Sequence, residues 1–209
     1  MIDKIWGKKI GMTQFFSTDD QNKIIPVTVV DLGKYYILQR KTTKHDGYEA
    51  IQVGCLRNKY SKVPFSLEWL KKKDKYFLFI KEIGCLESDL FEIGSLLHVN
   101  DFLNVQKIVS VSGTTIGKGF QGVVKRYSFT GGRGSHGDKL GRGPGSLSGL
   151  RTCGRVFKGK KMPGHMGVSQ KTILGLKVVQ YMPSDNIVLI SGPVPGKNGS
   201  FVVIGKGHK

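Results

Sequence analysis

The sequence predicts a mainly-β protein: an antiparallel β-barrel with a small α+β insertion and a long, extended basic internal loop. Short runs rich in Val, Ile, Tyr and Phe recur along the 209 residues, and turn residues such as Gly33 and Asp46-Gly47 separate them. This spacing is typical of closed or nearly closed antiparallel barrels. Residues 113–172 differ, because they contain 16 of the 29 glycines and show neither the strand nor the helix periodicity. Such a block could hardly bury a core of its own, so it is predicted to leave the barrel as a loop.

The elements follow in chain order from composition and turn signals. The predicted strands are Lys8–Phe16, Ile24–Asp31, Tyr35–Arg40, Ala50–Cys55, Tyr76–Ile83, Leu96–Phe102, Val105–Val111, Thr172–Met182, Asn186–Ser191 and Phe201–Ile204. One helix is predicted over Leu67–Lys73, with Ser66 as its cap and Glu68 near its positive end. The barrel body is expected over residues 1–126 and 169–209, the α+β insertion over 57–94, and the extended loop over 127–168.

The positive charge is concentrated in the glycine-rich block. The chain has 33 Lys and Arg against 15 Asp and Glu, a formal net charge of +18, but residues 1–100 carry only +4. Residues 113–172 hold twelve basic side chains and one acid, Asp138. A large excess of one sign requires a partner of the opposite sign, and nucleic acid is the commonest such partner, ahead of anionic membrane.

Several classes of protein are disfavoured by the sequence. No apolar run approaches the ~18 residues of a membrane-spanning helix, and Met1 to Trp6 lack the basic-then-apolar layout of a secretion signal. Three cysteines without a Cys-x-x-Cys spacing argue against a disulfide framework or a zinc ribbon, and they predict reduced thiols. His165 and Cys153 lie twelve residues apart without a third ligand, so no metal site and no cofactor are predicted.

One motif resembles a dinucleotide-binding turn. Residues 117–122 match the pattern G-x-G-x-x-G, which binds pyrophosphate only when a helix follows at once and an acid lies about 20 residues further on. The segment Val123–Tyr127 favours β or extended chain, and the only acid nearby is Asp138, within a loop. The alternative is that these glycines let the backbone approach nucleic-acid phosphates closely, while Lys118, Lys125 and Arg126 neutralise them.

A second cluster, residues 155–167, is the more specific signal for RNA. Four basic residues within seven positions, together with glycine and proline, predict extended chain that can thread between RNA helices. Phe157, Met162, His165 and Met166 offer flat or soft surfaces for packing on bases and sugars. The alternative is a solvated basic loop or tail. Strand-like sequence resumes at Thr172, however, so this loop is tethered at both ends.

Two other classes of function fit the sequence less well than RNA binding. An enzyme is disfavoured, because no Ser/His/Asp or Cys/His order stands out and paired-carboxylate chemistry lacks its second acid. Asp138 near His136 is interpreted as a local loop contact. A free nucleic-acid chaperone or DNA-compacting protein would fit the charge equally well, but it would not explain a long loop held at both ends by a barrel.

With these segments in view, the chain closely resembles the bacterial-type large-subunit ribosomal protein of the L-three family over nearly its whole length. The matching segments are Gly7–Thr13, Gly113–Thr115, Gly117–Phe120 with Gly122, Lys125 and Arg126, His136-Gly137, Pro144–Ser146, Val156–Gly164, Val194–Gly196 and Gly199-Ser200. Four positions depart from the family pattern. Ser110 stands in place of Asp or Asn, Ile116 in place of a common Lys, and Cys153 in place of a frequent Pro. Gly149 replaces the glutamine that some members methylate.

The resemblance implies a translation-protein-type β-barrel in a cytoplasmic ribosome, of the bacterial type or from a plastid. It implies a non-enzymatic protein that binds large-subunit (23S-type) rRNA early in assembly, near the 3′ domain, with a loop that approaches the peptidyl-transferase centre. At about 3.3 Å per residue, the loop could reach at most ~65–70 Å when doubled back. It also implies contacts with the large-subunit proteins numbered fourteen and nineteen, no membrane or small-molecule substrate, and structural Mg²⁺ carried by the rRNA.

The basic block and the matching motifs together predict the RNA-contacting positions. The predicted side chains are Lys8, Lys9, Lys118, Lys125, Arg126, Arg133, His136, Lys139, Arg142, Arg151, Arg155, Lys158, Lys160, Lys161 and His165. The glycines expected to allow close approach of the backbone to RNA are Gly117, Gly119, Gly122, Gly145, Gly159 and Gly164.

Overall fold

A computed structural model describes residues 3–16, 23–85, 91–97, 108–147 and 154–207. The chain divides into two units, one of Met1–Thr114 with Gln170–Lys209 and one of Thr115–Ser169. The elements in chain order are β1 (Lys4–Phe16), β2 (Ile24–Asp31), β3 (Tyr35–Lys41), α1 (Thr43–Asp46), β4 (Ala50–Leu56), a 3₁₀ turn (Asn58–Tyr60), α2 (Glu68–Lys71), α3 (Lys73–Tyr76), β5 (Phe77–Gly84), β6 (Ile108–Thr114), β7 (Gly119–Gln121), α4 (Val123–Tyr127), β8 (Gly164–Met166), β9 (Gln170–Met182), β10 (Ile187–Ser191) and β11 (Phe201–Lys206). The mainly-β class predicted from the sequence is confirmed.

Six strands of the first unit close into a barrel in the order β1-β11-β6-β9-β10-β2. Every neighbouring pair is antiparallel. Because side chains alternate across a strand, each strand sends every second residue inward. The barrel core contains Ile5, Val30, Val111, Ile190 and Ile204, none more than 1% exposed. The barrel thus depends on pairing between its first strand and its last.

The remaining three strands of this unit form a separate sheet in the order β3-β4-β5. This sheet begins at Tyr35 and is therefore larger than the insertion predicted over 57–94. The reason is that the runs forming β3 and β4 pair with each other and with β5, not with barrel strands. A second small core, of Leu38, Leu56, Trp69 and Phe77, packs beside it.

The helix predicted over Leu67–Lys73 is instead two four-residue helices, α2 and α3, with a break at Lys72 (φ −121°, ψ 57°). The N-cap residue of α2 is Leu67, not the predicted Ser66, and it makes no side-chain cap hydrogen bond. The carbonyl oxygen of Ser66 accepts a hydrogen bond from the Trp69 N–H at 3.0 Å. Trp69 stacks on Tyr76 with 5.3 Å between ring centroids. A continuous helix would separate residues seven apart by about 10 Å along its axis, so the break allows this stacking.

The predicted strand bounds agree with the structure to different extents. The bounds of β2 are those predicted, β1 begins four residues earlier than predicted, and β9 begins two residues earlier. Most of the predicted Leu96–Phe102 strand lies outside the described residues, and Leu96 itself forms a single bridge with Tyr36. The predicted run from Val105 also begins outside them, and its strand starts at Ile108. Among the described helices, none is long and apolar enough to cross a membrane.

Candidate nucleic-acid interface

The second unit, residues 115–169, starts and ends in one two-stranded ribbon. The Thr115 N–H donates to the carbonyl oxygen of Ser169 at 2.9 Å, and the Ser169 N–H donates to Thr115 Oγ1 at 3.2 Å. Further along, the Lys118 N–H donates to the Met166 carbonyl oxygen at 2.9 Å, and β7 then pairs antiparallel with β8. The excursion therefore leaves and returns through hydrogen-bonded neighbouring chains.

The glycines of this unit serve two different purposes. A Cβ on Gly167, whose φ is +82°, would overlap the carbonyl oxygen of Ile116, so glycine allows the two chains of the ribbon to approach each other. Gly117 and Gly164 also face close neighbours within the unit, Val168 and Arg126 respectively. A Cβ on any of the other predicted close-approach glycines would meet no atom within 4 Å; these are Gly119, Gly122, Gly145 and Gly159. Their backbone is therefore open to a partner.

The segment after Gly122 is helical, and the prediction of β or extended chain for Val123–Tyr127 was wrong. Helix α4 begins directly after Gly122, and the Arg126 N–H donates to the Gly122 carbonyl oxygen at 3.0 Å. Tertiary packing overrides the β preference of two valines here, because Val123 is buried at 1% exposure.

The helix does not restore the dinucleotide-binding interpretation. That fold needs a parallel β-α-β unit with a helix long enough to face pyrophosphate. Helix α4 has five residues, and β7 pairs antiparallel with β8. The nearby acid, Asp138, instead accepts hydrogen bonds from the backbone N–H groups of Arg133 and Leu140.

Asp138 organises a tight loop over residues 131–143. Its Oδ1 accepts a hydrogen bond from the Leu140 N–H at 2.8 Å, and its Oδ2 accepts one from the Arg133 N–H. The Gly132 N–H closes the loop by donating to the Gly141 carbonyl oxygen at 2.6 Å. Asp138 is the only acidic residue between Thr115 and Ser169. Its carboxylate binds backbone amides and so forms a local loop contact, and it makes no ion pair with any basic side chain in the described part of this unit.

Most basic side chains of the unit face solvent. Residues 115–169 contain eleven Lys and Arg against one acid, and no salt bridge of the described chain involves any of them. The exposed ones are Lys118, Lys125, Arg133, Lys139, Arg142, Arg155, Lys158, Lys160 and Lys161, and the predicted His136 and His165 are exposed as well. Arg151 lies outside the described residues. The exposed surface of this unit therefore carries nearly uncompensated positive charge.

Arg126 differs from the other predicted cations because it braces the unit internally. Its Nη1 donates to the Met162 carbonyl oxygen at 2.7 Å. Its guanidinium lies 5.0 Å from the centroid of the Tyr127 ring, and Lys161 Nζ lies 5.6 Å from the same ring. These contacts join α4 to the segment that precedes β8. Arg126 is half-buried, so its side chain is only partly accessible to a partner.

In the barrel, Lys9, one of the side chains predicted to contact RNA, has its hydrogen-bond partners within its own chain. Lys9 is 8% exposed, and its Nζ donates to the carbonyl oxygens of Val194 at 2.9 Å and Gly196 at 3.1 Å. Its neighbour Lys8 is exposed. Alternation along β1 buries Ile5, Gly7 and Lys9 and leaves Lys8 exposed. The sequence carried no signal for this, because Lys8 alternates with Trp6 and Ile10, which form the more apolar set.

Of the three cysteines, Cys55 and Cys85 are buried and belong to no disulfide among the described residues, and Cys153 lies outside the described residues. Burial raises the pKa of the Cys55 thiol to about 11, which keeps it protonated at neutral pH. Within the described ranges, no three His, Cys, Asp or Glu side chains converge as a metal site would require.

Sequence reasoning missed Phe120 as a candidate functional residue. It was considered only as part of the glycine motif, yet it is 75% exposed, more than any other large hydrophobic residue in the described chain. Its cross-strand neighbour is His165. An aromatic residue placed between glycines in a basic segment was the available signal.

The chain is similar to known proteins over its full length. A family model described as Ribosomal protein L3 matches residues 86–187. The chain is 42% identical over 211 residues to the large ribosomal subunit protein uL3 of Syntrophotalea carbinolica, covering 100% of both chains. It is 42% identical over 200 residues to the protein of the same name from Geotalea daltonii, covering 95% of this chain and 93% of the relative. The uL3 of Syntrophus aciditrophicus is 41% identical over 211 residues, covering 100% of this chain and 95% of the relative.

Proposed function

This chain belongs to the ribosomal protein L3 family, and from that premise we propose that it is a structural constituent of the large ribosomal subunit that binds large-subunit rRNA directly. The family consists of structural ribosomal proteins, so the chain is not an enzyme. Its place is the ribosome in the cytoplasm, as for its bacterial relatives.

The observation that carries RNA binding is the uncompensated charge of residues 115–169. Nine exposed Lys and Arg side chains accompany a single carboxylate that is already bound to backbone amides. Phosphate neutralisation supplies most of the affinity of such surfaces for nucleic acid. The open glycines, such as Gly119 and Gly159, would let the backbone approach a phosphate without a side chain in between.

The finer part of the proposal concerns where and when binding occurs. We propose that the chain binds the rRNA early in assembly, near the 3′ domain. We also propose that the loop over 127–168 extends toward the peptidyl-transferase centre. The hydrogen-bonded ribbon supports a threaded segment, because it holds both ends of the unit together and the basic part lies between them instead of at a free terminus.

Neighbouring ribosomal proteins, those numbered fourteen and nineteen, are proposed to contact the barrel. Support comes from an apolar patch at the end of the β1–β2 pair where β1 ends and β2 begins, and where Phe16 and Ile24 lie directly opposite each other. Both are more than half exposed, as is Met12 on the same hairpin. Exposed apolar side chains this close together are typical of protein interfaces.

The decisive experiment is co-sedimentation of the native protein with large ribosomal subunits. We expect it to remain bound after a high-salt wash, as an integrated constituent would. Purified protein should also bind a transcript of the 3′ half of a bacterial large-subunit rRNA more tightly than the 5′ half or a DNA duplex of equal length. A protein that is free in lysate and binds DNA and RNA alike would instead be a nucleic-acid chaperone or a DNA-compacting protein.

A further inference from the structure

We propose that Phe120 and His165 form a base-stacking site for unpaired nucleotides of RNA, at the ribbon of β7 and β8. The proposal rests on the function proposed above and deepens it, because it assigns one surface of the basic unit to bases, whereas the lysines and arginines serve phosphates.

The register of the ribbon places the two rings together. Phe120 pairs directly with His165 in the antiparallel β7–β8 ladder. Directly opposed residues send their side chains to the same face, with Cβ atoms about 4.5–5.5 Å apart. Both side chains are exposed, Phe120 at 75%. The ribbon therefore presents a pair of aromatic rings on one face.

The neighbours on that face leave the rings uncovered. Two residues after Phe120 comes Gly122, and the diagonal positions across the ribbon are Pro163 and Gly167. A Cβ on Gly122 would meet no atom within 4 Å, so the space beside the Phe120 ring is open. A flat ligand can therefore reach the ring face.

The surroundings favour a nucleic-acid base over an apolar protein side chain. Lys118 and Lys125 flank Phe120 in the chain and are exposed, and the whole unit is strongly basic. Aromatic side chains within a positively charged groove are the usual means of binding single-stranded nucleic acid, because each base has a π-face. RNA offers free base faces at loops and bulges, not within its helices. The positions next to the rings on this face, Gly122, Pro163 and Gly167, add no large apolar side chain that would extend the rings into a protein-binding patch.

The test compares Phe120 variants for binding to three RNA probes: a transcript of the 3′ half of a bacterial large-subunit rRNA, a 12-nucleotide oligo(A) and a 12-base-pair RNA duplex. Phe120→Ala should weaken binding to the transcript and to oligo(A) by about 5- to 150-fold, and Phe120→Tyr should bind as wild type does. Duplex binding should change little. Ile116→Ala is the matched control, because Ile116 is an exposed apolar residue of the same ribbon. Circular dichroism checks that each variant folds.

Two further measurements separate stacking from other contacts. Because stacking releases no counterions, Phe120→Ala should leave the dependence of affinity on salt unchanged, whereas Lys118→Gln should reduce the magnitude of the log–log slope by about one. Ultraviolet irradiation of the complex should cross-link RNA to the peptide containing Phe120 or His165.

The outcomes distinguish this proposal from the function on which it rests. If wild-type protein fails to bind the transcript, the proposed function itself fails. If wild type binds with a steep salt dependence but Phe120→Ala binds equally well, only the stacking site is overturned. Full binding by Phe120→Leu would also overturn it, because leucine keeps apolar area without a π-face. Unchanged RNA affinity with loss of co-sedimentation would assign the ribbon to a protein contact.

Discussion

Lys9 Nζ lies 2.9 Å from the carbonyl oxygen of Val194, a residue 185 positions further along the chain, and donates a hydrogen bond to it. The buried ammonium thus links β1 to the loop before β11, and its neighbour Lys8 faces solvent. Two adjacent lysines of one motif therefore have different purposes, one for stability of the barrel and one available to a partner.

Lys9→Met should lower the free energy of unfolding by about 1–3 kcal/mol, because it leaves the carbonyl oxygens of Val194 and Gly196 without their donor. Lys8→Met is the matched control and should change stability by no more than about 0.5 kcal/mol. Urea unfolding followed by tryptophan fluorescence measures both. Equal destabilisation by the two variants would contradict the assignment.

Residues 115–169 should be removable without loss of the barrel. Thr114 and Gln170 are directly paired at the end of the β6–β9 ladder, so a two-residue Asn-Gly turn can replace everything between them as a hairpin loop. We expect the variant to keep the β-sheet circular dichroism spectrum and cooperative unfolding, and to lose most of its salt-dependent RNA affinity. An unfolded variant would mean that the excursion is part of the core.

The affinity for an rRNA fragment should fall steeply with salt. A log–log slope of about −5 to −8 is expected if roughly 6–9 phosphates are neutralised. Lys160→Gln, in the exposed basic cluster, should reduce the magnitude of the slope by about one. Lys44→Gln is the control, because Lys44 is exposed on α1 and lies within residues 1–100, which carry a net charge of only +4. It should leave the slope unchanged. Filter binding over a range of salt concentrations measures the slope, and a value near zero would be incompatible with phosphate contacts.

Two glycines with positive φ should respond differently to alanine. Gly119→Ala (φ +66°) has room for the added methyl and should cost about 1–2 kcal/mol of local backbone strain. Gly167→Ala adds an overlap with the Ile116 carbonyl oxygen, so it should open the ribbon. The rate of tryptic cleavage within residues 115–169 reports this opening. Similar cleavage rates in the two variants would show that the approach at Gly167 is not tight.

Asp138→Ala should loosen the loop over 131–143. The amides of Arg133 and Leu140 lose their shared acceptor, and their hydrogen exchange should become about tenfold faster or more. Asp138→Asn keeps one side-chain oxygen and should protect one of the two amides. Exchange followed by nuclear magnetic resonance measures both. If both amides keep their protection in Asp138→Ala, other contacts hold the loop.

The sequence predicted what local patterns determine and missed what distant contacts decide. The run Ile24–Asp31 is a strand as predicted, because β-branched residues and turn signals act within a few positions. Val123 and Val124 have the same local preference, yet burial of Val123 and the Arg126–Met162 hydrogen bond stabilise a helix. Propensity differences of a fraction of a kcal/mol per residue are smaller than such packing contributions.

The candidate interface was predictable in its charge and less so in its individual residues. Composition located the basic unit, since exposed lysines and arginines need no particular register to face a polyanion. The burial of Lys9 depends on its register within β1, and the pairing of Phe120 with His165 brings together residues 45 positions apart in the chain. Pairing over such distances cannot be deduced from composition.

The position of β11 between β1 and β6 has a consequence for biosynthesis. Until residues 201–206 have emerged during translation, the facing edges of β1 and β6 have no partner strand, and unpaired edges are prone to association with other chains. Closure of the barrel is consequently a late, high-contact-order event, completed after nearly all of the described chain has been made. A nascent polypeptide that lacks β11 thus presents two strand edges through which it can misassemble.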